Sequence, residues 1–343
     1  MHWNLMARLA TVVFVALGTL APTGAMAQGG RVLAPGVLTV IQPKPEEQEM
    51  ASGPLPLVEV PVEAEGIEYT PNFEAKTATV FERSKGVILR RPIWNLEFAF
   101  KPLRMIEVDV PQPSGKMSRK LVWYMVYRVK NNGGHFQVKE DRVLVNGKIE
   151  HTVYTKEVVN EIQEKRADGS TKPATLRFFP HFVLESTEFK KQYLDLIIPS
   201  AMEDIKKREF PRTKVDLHDT VSISEMEIPL SDANNDRSVW GVVTWTDVDP
   251  RIDYFSVYVQ GLTNAYRFED TADAYKKAKT PGAGRKFASK TLQLNFWRPG
   301  DTVAENDEEI RYGCRLEQEP AEQAKILAQY GLKEPLDYLW IYR

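Results

Sequence analysis

"KLVWYMVYRVK", Lys120 to Lys130, is the stretch that decides the fold. Its odd positions carry Leu121, Trp123, Met125, Tyr127 and Val129, and its even positions carry Val122, Tyr124 and Val126. Successive side chains of an extended strand point to opposite faces, so both faces of this one are apolar. Such a strand belongs in the middle of a sheet that is covered above and below. It stops at "NNGG", where Gly133 and Gly134 can take the positive φ that a reversal needs.

Working outward, the same alternation recurs. "IWNLEFAF" puts Trp94, Leu96, Phe98 and Phe100 on one face, and Asn95, Glu97 and Ala99 on the other, the pattern of a half-buried strand. In "RVLVNGKIEHTVY", Asn146-Gly147 sits between alternating apolar residues, which predicts a two-residue hairpin turn. Further strands are expected in "ATLRFFPHFVL", "TVSISEMEI", "VWGVVTWT", "YFSVYVQGL", "KTLQLNFW" and "LDYLWIY". Helices are expected to be few and short. Ser200-Ala-Met-Glu203 has the spacing of a capping box ahead of "IKKREF". "PAEQAKILAQYG" has Pro320 in its first turn and Gly331 where a helix would stop. "TADAYKKAK" from Thr271 and "KEVVNEIQEKR" are the other helix candidates.

The ends and the composition bound the class. Arg8, an apolar run from Leu9 to about Leu20, and Ala25-Met26-Ala27 form the three-part layout of a secretory signal, with cleavage expected after Ala27. That run is shorter than the roughly 20 residues a membrane-crossing helix needs, and no later segment is expected to span once the signal is cleaved. Residues 28–56, with "QPKPEEQEMASGPLP", read as a Pro/Glu-rich extended linker. The formal charge of −2 becomes one unit more negative without Arg8, and it is interspersed, which argues against a nucleic-acid partner. One cysteine, Cys314, excludes an intrachain disulfide; lying in "IRYGCRL", it reads as a small buried hydrophobe. The expected fold is mainly β: one or two antiparallel β-sandwich domains with a few short helices. The expected division is a sandwich over 57–190, a helical connector over 191–212 and a second sandwich over 213–343, with one larger mixed sandwich as the alternative.

"WYMVYRVKN" and "YFSVYVQGLTN" share an aromatic, Val-containing alternation ending in an Asn, Asn131 and Asn264. Strands of this kind resemble those of immunoglobulin-like β-sandwich modules in exported bacterial proteins. The resemblance implies an adhesive or scaffolding role and brings no catalytic residues with it.

The candidate sites are acidic loops and tryptophans. "TWTDVDPRIDYF" places Asp247, Asp249 and Asp253 within seven positions. Arg251 and Ile252 stand where a calcium loop needs an oxygen ligand and a Gly, while Asp249-Pro250 has the composition that opens a type I turn. In "SDANNDRS", Asp232, Asn234 and Asp236 occupy alternate positions suited to a weak calcium site, although a polar connection predicts the same residues. "GDTVAENDEEIRYG" reads as a solvated acidic loop. His135, His151, His181 and His218 are too dispersed for a structural zinc site; His181 is expected to be partly buried beside Phe179 and Val183. The Gly-x-Ser-x-Gly and phosphate-loop signatures are missing. Trp240 and Trp245 have opposite parity in "VWGVVTW", so one faces a core and the other faces solvent, a helix or a partner, making this pair the candidate ligand contact. The expectation is a non-enzymatic exported protein whose partner is an envelope protein or a glycan, without a cofactor beyond a possible calcium ion. A carboxylate-based glycan hydrolase and a carbohydrate-binding module are the alternatives.

Overall fold

A computed structural model describes residues 38–54, 88–145, 148–269, 284–299 and 310–343; within these, only the backbone is described at 48, 51–54, 88–90, 140–145 and 148–154. The expected signal, the Asn146-Gly147 turn, the Thr271 helix and the acidic residues 301–309 lie outside the described residues. In chain order the first strands are β1 (Thr39–Ile41), β2 (Ala51–Pro54), β3 (Ile88–Arg90), β4 (Glu97–Phe100), β5 (Arg104–Pro111) and β6 (Met117–Lys130). They are followed by β7 (His135–Val145), β8 (Lys148–Val159), β9 (Gln163–Lys165), β10 (Thr171–Pro173), β11 (His181–Ser186) and β12 (Lys191–Leu194). After helix α1 (Pro199–Glu209) come β13 (Leu217–His218), the single turn α2 (Ser222–Glu225), β14 (Val239–Thr246), β15 (Tyr254–Gln260), β16 (Tyr266–Glu269) and β17 (Lys286–Trp297). β18 (Arg311–Tyr312), α3 (Pro320–Tyr330) and β19 (Tyr338–Tyr342) close the chain.

Two large sheets organise these strands. The first has the order β1-β4-β6-β14-β13, with β5 also on β6. Its pairs are antiparallel except β13–β14, which is parallel. The second has the order β12-β11-β15-β17-β16, with β18 and β19 also on β17, and its pairs are antiparallel. Their inner side chains meet in one core. Tyr127 of the first sheet and Phe182 of the second lie 5.0 Å apart by ring centroid, Trp123 and Phe255 5.4 Å, and Phe100 and Phe296 6.1 Å.

β6 explains why these sheets are layered. Trp123, Met125, Tyr127 and Val129 enter the shared core, while Val122, Tyr124 and Val126 enter a second cluster with Val108, Val242, Ala201 and Ile205. The latter two come from α1, so the helix covers the face that the second sheet leaves open. Burying a large apolar side chain is worth about 1.5–3 kcal/mol, so a strand covered on both sides anchors two layers at once. Gly241, paired with Tyr127, leaves the space in which that phenol lies.

Several expectations are corrected here. The boundary at 190–213 separates nothing in the hydrogen bonding: β6 pairs β14, and β11 pairs β15, so both sheets mix strands from either side of it. The described part of the 28–56 linker is anchored. β1 pairs with β4, Ile41 is 2% exposed in the shared core, and Met50 packs with Ile93 and Phe136, because these apolar residues outweigh the surrounding Pro and Glu. β4 is buried on both faces: Asn95, Glu97 and Ala99 are enclosed along with Leu96, Phe98 and Phe100. Glu97 tolerates this by accepting hydrogen bonds from Gln42 and Asn132. "KEVVNEIQEKR" is not a helix: its first part ends β8 against β7, and Gln163–Lys165 form β9. "TVSISEMEI" contains the turn α2, nucleated where Asp219 Oδ1 accepts the backbone N–H groups of Val221 and Ser222 at 3.0 and 2.7 Å. The α1 helix forms without its capping box: the N-cap is Ile198, with no side-chain cap, and Pro199 opens the first turn. α3 ends as expected, at Gly331 with φ 70°.

Candidate functional site

The structure splits the two tryptophans as their parity requires. Trp245 is 0% exposed in the shared core, so it cannot meet a ligand and drops out as a candidate. Trp240 is partly buried at the margin of the second cluster, edge-on to Phe210 at 5.0 Å. Arg128 lies over the Trp240 ring at 5.8 Å and reaches Glu97 at 3.5 Å and Asp236 at 3.4 Å. Arg128 therefore draws two separately predicted candidates, Trp240 and the Asp236 loop, into one patch.

Both aspartates of that loop already have partners. Asp232 Oδ1 accepts the N–H groups of Asn234 and Asn235 at 2.8 and 2.9 Å, closing a local turn. Asp236 faces both Arg128 and Lys130, the latter at 3.7 Å. Asp232 thus organises backbone and Asp236 neutralises cations.

The carboxylates of Asp247 and Asp249 are likewise taken up by protein partners. Ile252 N–H donates to Asp249 C=O at 3.2 Å, closing a turn with Pro250 and Arg251 in the centre. Asp249 Oδ2 accepts from Arg251 at 2.8 Å and from Lys191 at 2.6 Å, and these bonds, Arg251's foremost, hold its carboxyl well below the usual range. Asp247, at φ 57°, turns its carboxylate to Lys120 instead, with both oxygens within 3.0 Å. The backbone carbonyl of Asp253 accepts from Arg298 at 2.8 Å. The closely spaced carboxylates of Asp247 and Asp249 thus serve different partners.

Of the histidines, His181 is exposed at the start of β11, since Phe182 and Leu184 take the core side and Val183 the other. His218 is half-buried in β13, and the His151 side chain lies outside the described residues. His135 is fully buried; its Nδ1 accepts the Asn95 N–H at 3.3 Å, so Nε2 carries the proton of the neutral ring. Burial lowers its pKa to about 4. Cys314 is buried as expected, donating to the Leu336 carbonyl at 3.0 Å, and burial pushes its thiol up to about 12.

A concave feature of the described surface has no signal in the sequence. A cleft of about 380 Å3 lies between α3 and the start of β15, lined by Tyr254, Arg315, Glu317, Glu322, Lys325, Ile326 and Gln329. The α3 contributors are spaced i, i+3, i+4 and i+7, one helical face, but Tyr254 is more than fifty residues away. Arg315 pairs with Glu317 at 2.6 Å and donates to the Tyr254 hydroxyl at 3.3 Å. Lys325 pairs with Glu322 at 2.7 Å.

Comparison with protein-family models, with curated proteins and with solved structures finds no match. Among the described residues, no helix is long and apolar enough to cross a membrane, and no group of three or more His, Cys, Asp or Glu is placed to hold a metal ion.

Proposed function

We propose that the chain is an exported, non-enzymatic protein that binds or scaffolds components of the cell envelope, on an immunoglobulin-like β-sandwich. The export reading rests on Arg8, the apolar run and Ala25-Met26-Ala27. The sandwich reading is supported by the aromatic contacts between the two sheets, and the immunoglobulin-like form by the echo between the Asn131 and Asn264 strands.

The observation that carries the binding role is the β7–β8 hairpin. Its strands pair with each other from His135↔Val159 to Val145↔Lys148 and with no third named strand among the described residues. The bridge between Ile93 and Phe136 ties the base of β7 to the body; beyond it, the strand edges of this long ribbon carry no further strand among the described residues and are a ready surface for another chain. Val158, near its base, is 60% exposed.

The test is photo-crosslinking in intact cells from a reactive residue at Val158, with Met117, 59% exposed on another hairpin, as the control position. A discrete adduct with an envelope component from 158 and none from 117 is expected. Equal labelling from both positions, or none from 158, would remove the binding role.

A further inference from the structure

We propose that the cleft between α3 and Tyr254 is a binding site for a neutral saccharide. This deepens the envelope-binding reading and rests on it. The cleft's volume, about 380 Å3, falls within the roughly 300–1,000 Å3 of small-molecule sites.

Its chemistry selects the ligand. One wall carries the ion pair Arg315–Glu317 and the other carries Lys325–Glu322, so each wall is internally neutral. A charged ligand finds no uncompensated counter-charge there and would lose hydration without recovering it. A polyhydroxylated ring fits differently. Every hydroxyl both donates and accepts, and each wall offers a cationic donor beside a carboxylate acceptor, with the Gln329 amide supplying both. Ile326 and the Tyr254 ring add apolar surface for the C–H face of a pyranose.

The wall formed by Arg315 and Tyr254 is also held in advance of any ligand. The Arg315 guanidinium lies over the Trp297 ring at 5.5 Å while bonded to Tyr254 and Glu317. Tyr254 packs edge-on against Tyr330 at 6.0 Å. Side chains fixed in this way lose little freedom on binding.

The experiment is saturation-transfer NMR on the mature chain with glucose, N-acetylglucosamine and cellobiose, and with glucuronate and glucosamine as charged counterparts. At least one neutral sugar is expected to give signal, and neither charged sugar is expected to bind more tightly. Gln329→Trp, filling the cleft from the helix side, is expected to weaken that binding about tenfold or more with an unchanged melting temperature. Glu322→Gln, which leaves Lys325 uncompensated, is expected to shift preference toward glucuronate. Silence from all the neutral sugars, tighter binding of a charged sugar by the unaltered protein, or indifference to Gln329→Trp would overturn the proposal. A protein that still cross-links from position 158 but ignores sugars would sink this inference and leave the envelope-binding reading standing.

Discussion

Lys101 Nζ donates a 2.6 Å hydrogen bond to the backbone carbonyl of Glu209, the last residue of α1, and lies 3.3 Å from the same residue's carboxylate. Arg104 and the Tyr124 hydroxyl reach that carboxylate at 2.7 and 2.8 Å. A cation at a helix C-terminus meets carbonyls that lack an intrahelical partner and the negative end of the dipole. The cluster thus pins α1 over the outer face of β6. Lys101→Met should destabilise the protein by about 3–5 kcal/mol, because it leaves a buried carboxylate under-compensated. Urea unfolding measures the loss, and a Lys101→Met/Glu209→Gln double variant should lose less than the sum of the single changes.

Gly241 sets a packing constraint. A Cβ there would fall 2.7 Å or less from Cζ, Cε2 and the hydroxyl oxygen of Tyr127. Gly241→Ala should therefore cost about 1–3 kcal/mol through overpacking. Adding Tyr127→Leu to Gly241→Ala should cost less than the two separate effects combined, and thermal melts of the four proteins check this.

His135 makes stability fall in acid. Burial holds its folded-state pKa at about 4, below the ordinary 6.5, so the unfolded chain binds the proton first as pH drops. The penalty is absent above pH 6.5, grows as pH falls toward 4 and then levels off, amounting to about 3 kcal/mol at 1.36 kcal/mol per pH unit. His135→Gln, which keeps an acceptor for the Asn95 N–H, should flatten the stability profile between pH 7 and pH 4.

Calcium should do little. With Asp232 bonded to Asn234 and Asn235, and Asp236 facing Arg128 and Lys130, binding an ion would break contacts already made. The melting temperature is expected to agree within about 1 °C in millimolar calcium and in chelator, since even a weak extracellular-type site would raise it.

Cys314 should resist thiol reagents in the native protein. Its thiol is buried and its pKa is raised to about 12, so little thiolate forms at neutral pH. Labelling should follow unfolding, with a rate that rises in step with urea.

Local chemistry was legible where one signal ruled. Lys120–Lys130 advertised two covered faces, the parity of Trp240 and Trp245 separated core from margin, and Asp249-Pro250 gave its turn. The misreadings occurred where distant partners or a local side-chain bond outranked periodicity. Residues 156–159 alternate weakly, yet β7 holds them extended; Asp219 turned a strand-like run into α2. The cluster of buried Lys101 and Glu209 with half-buried Arg104 left no mark in the sequence, because composition cannot show that three charges will meet. The α3 cleft stayed hidden for the same reason, being assembled from residue 254, residues 315–317 and a helix face.

Strands from both halves of the chain complete one core between the two large sheets. Expressing residues 213–343 alone tests it most directly, since β14 then lacks its β6 partner and β15 its β11 partner. The fragment should give a collapsed, poorly dispersed proton NMR spectrum and no cooperative melt. A dispersed spectrum with a sharp thermal transition would show an independent domain and contradict the shared core.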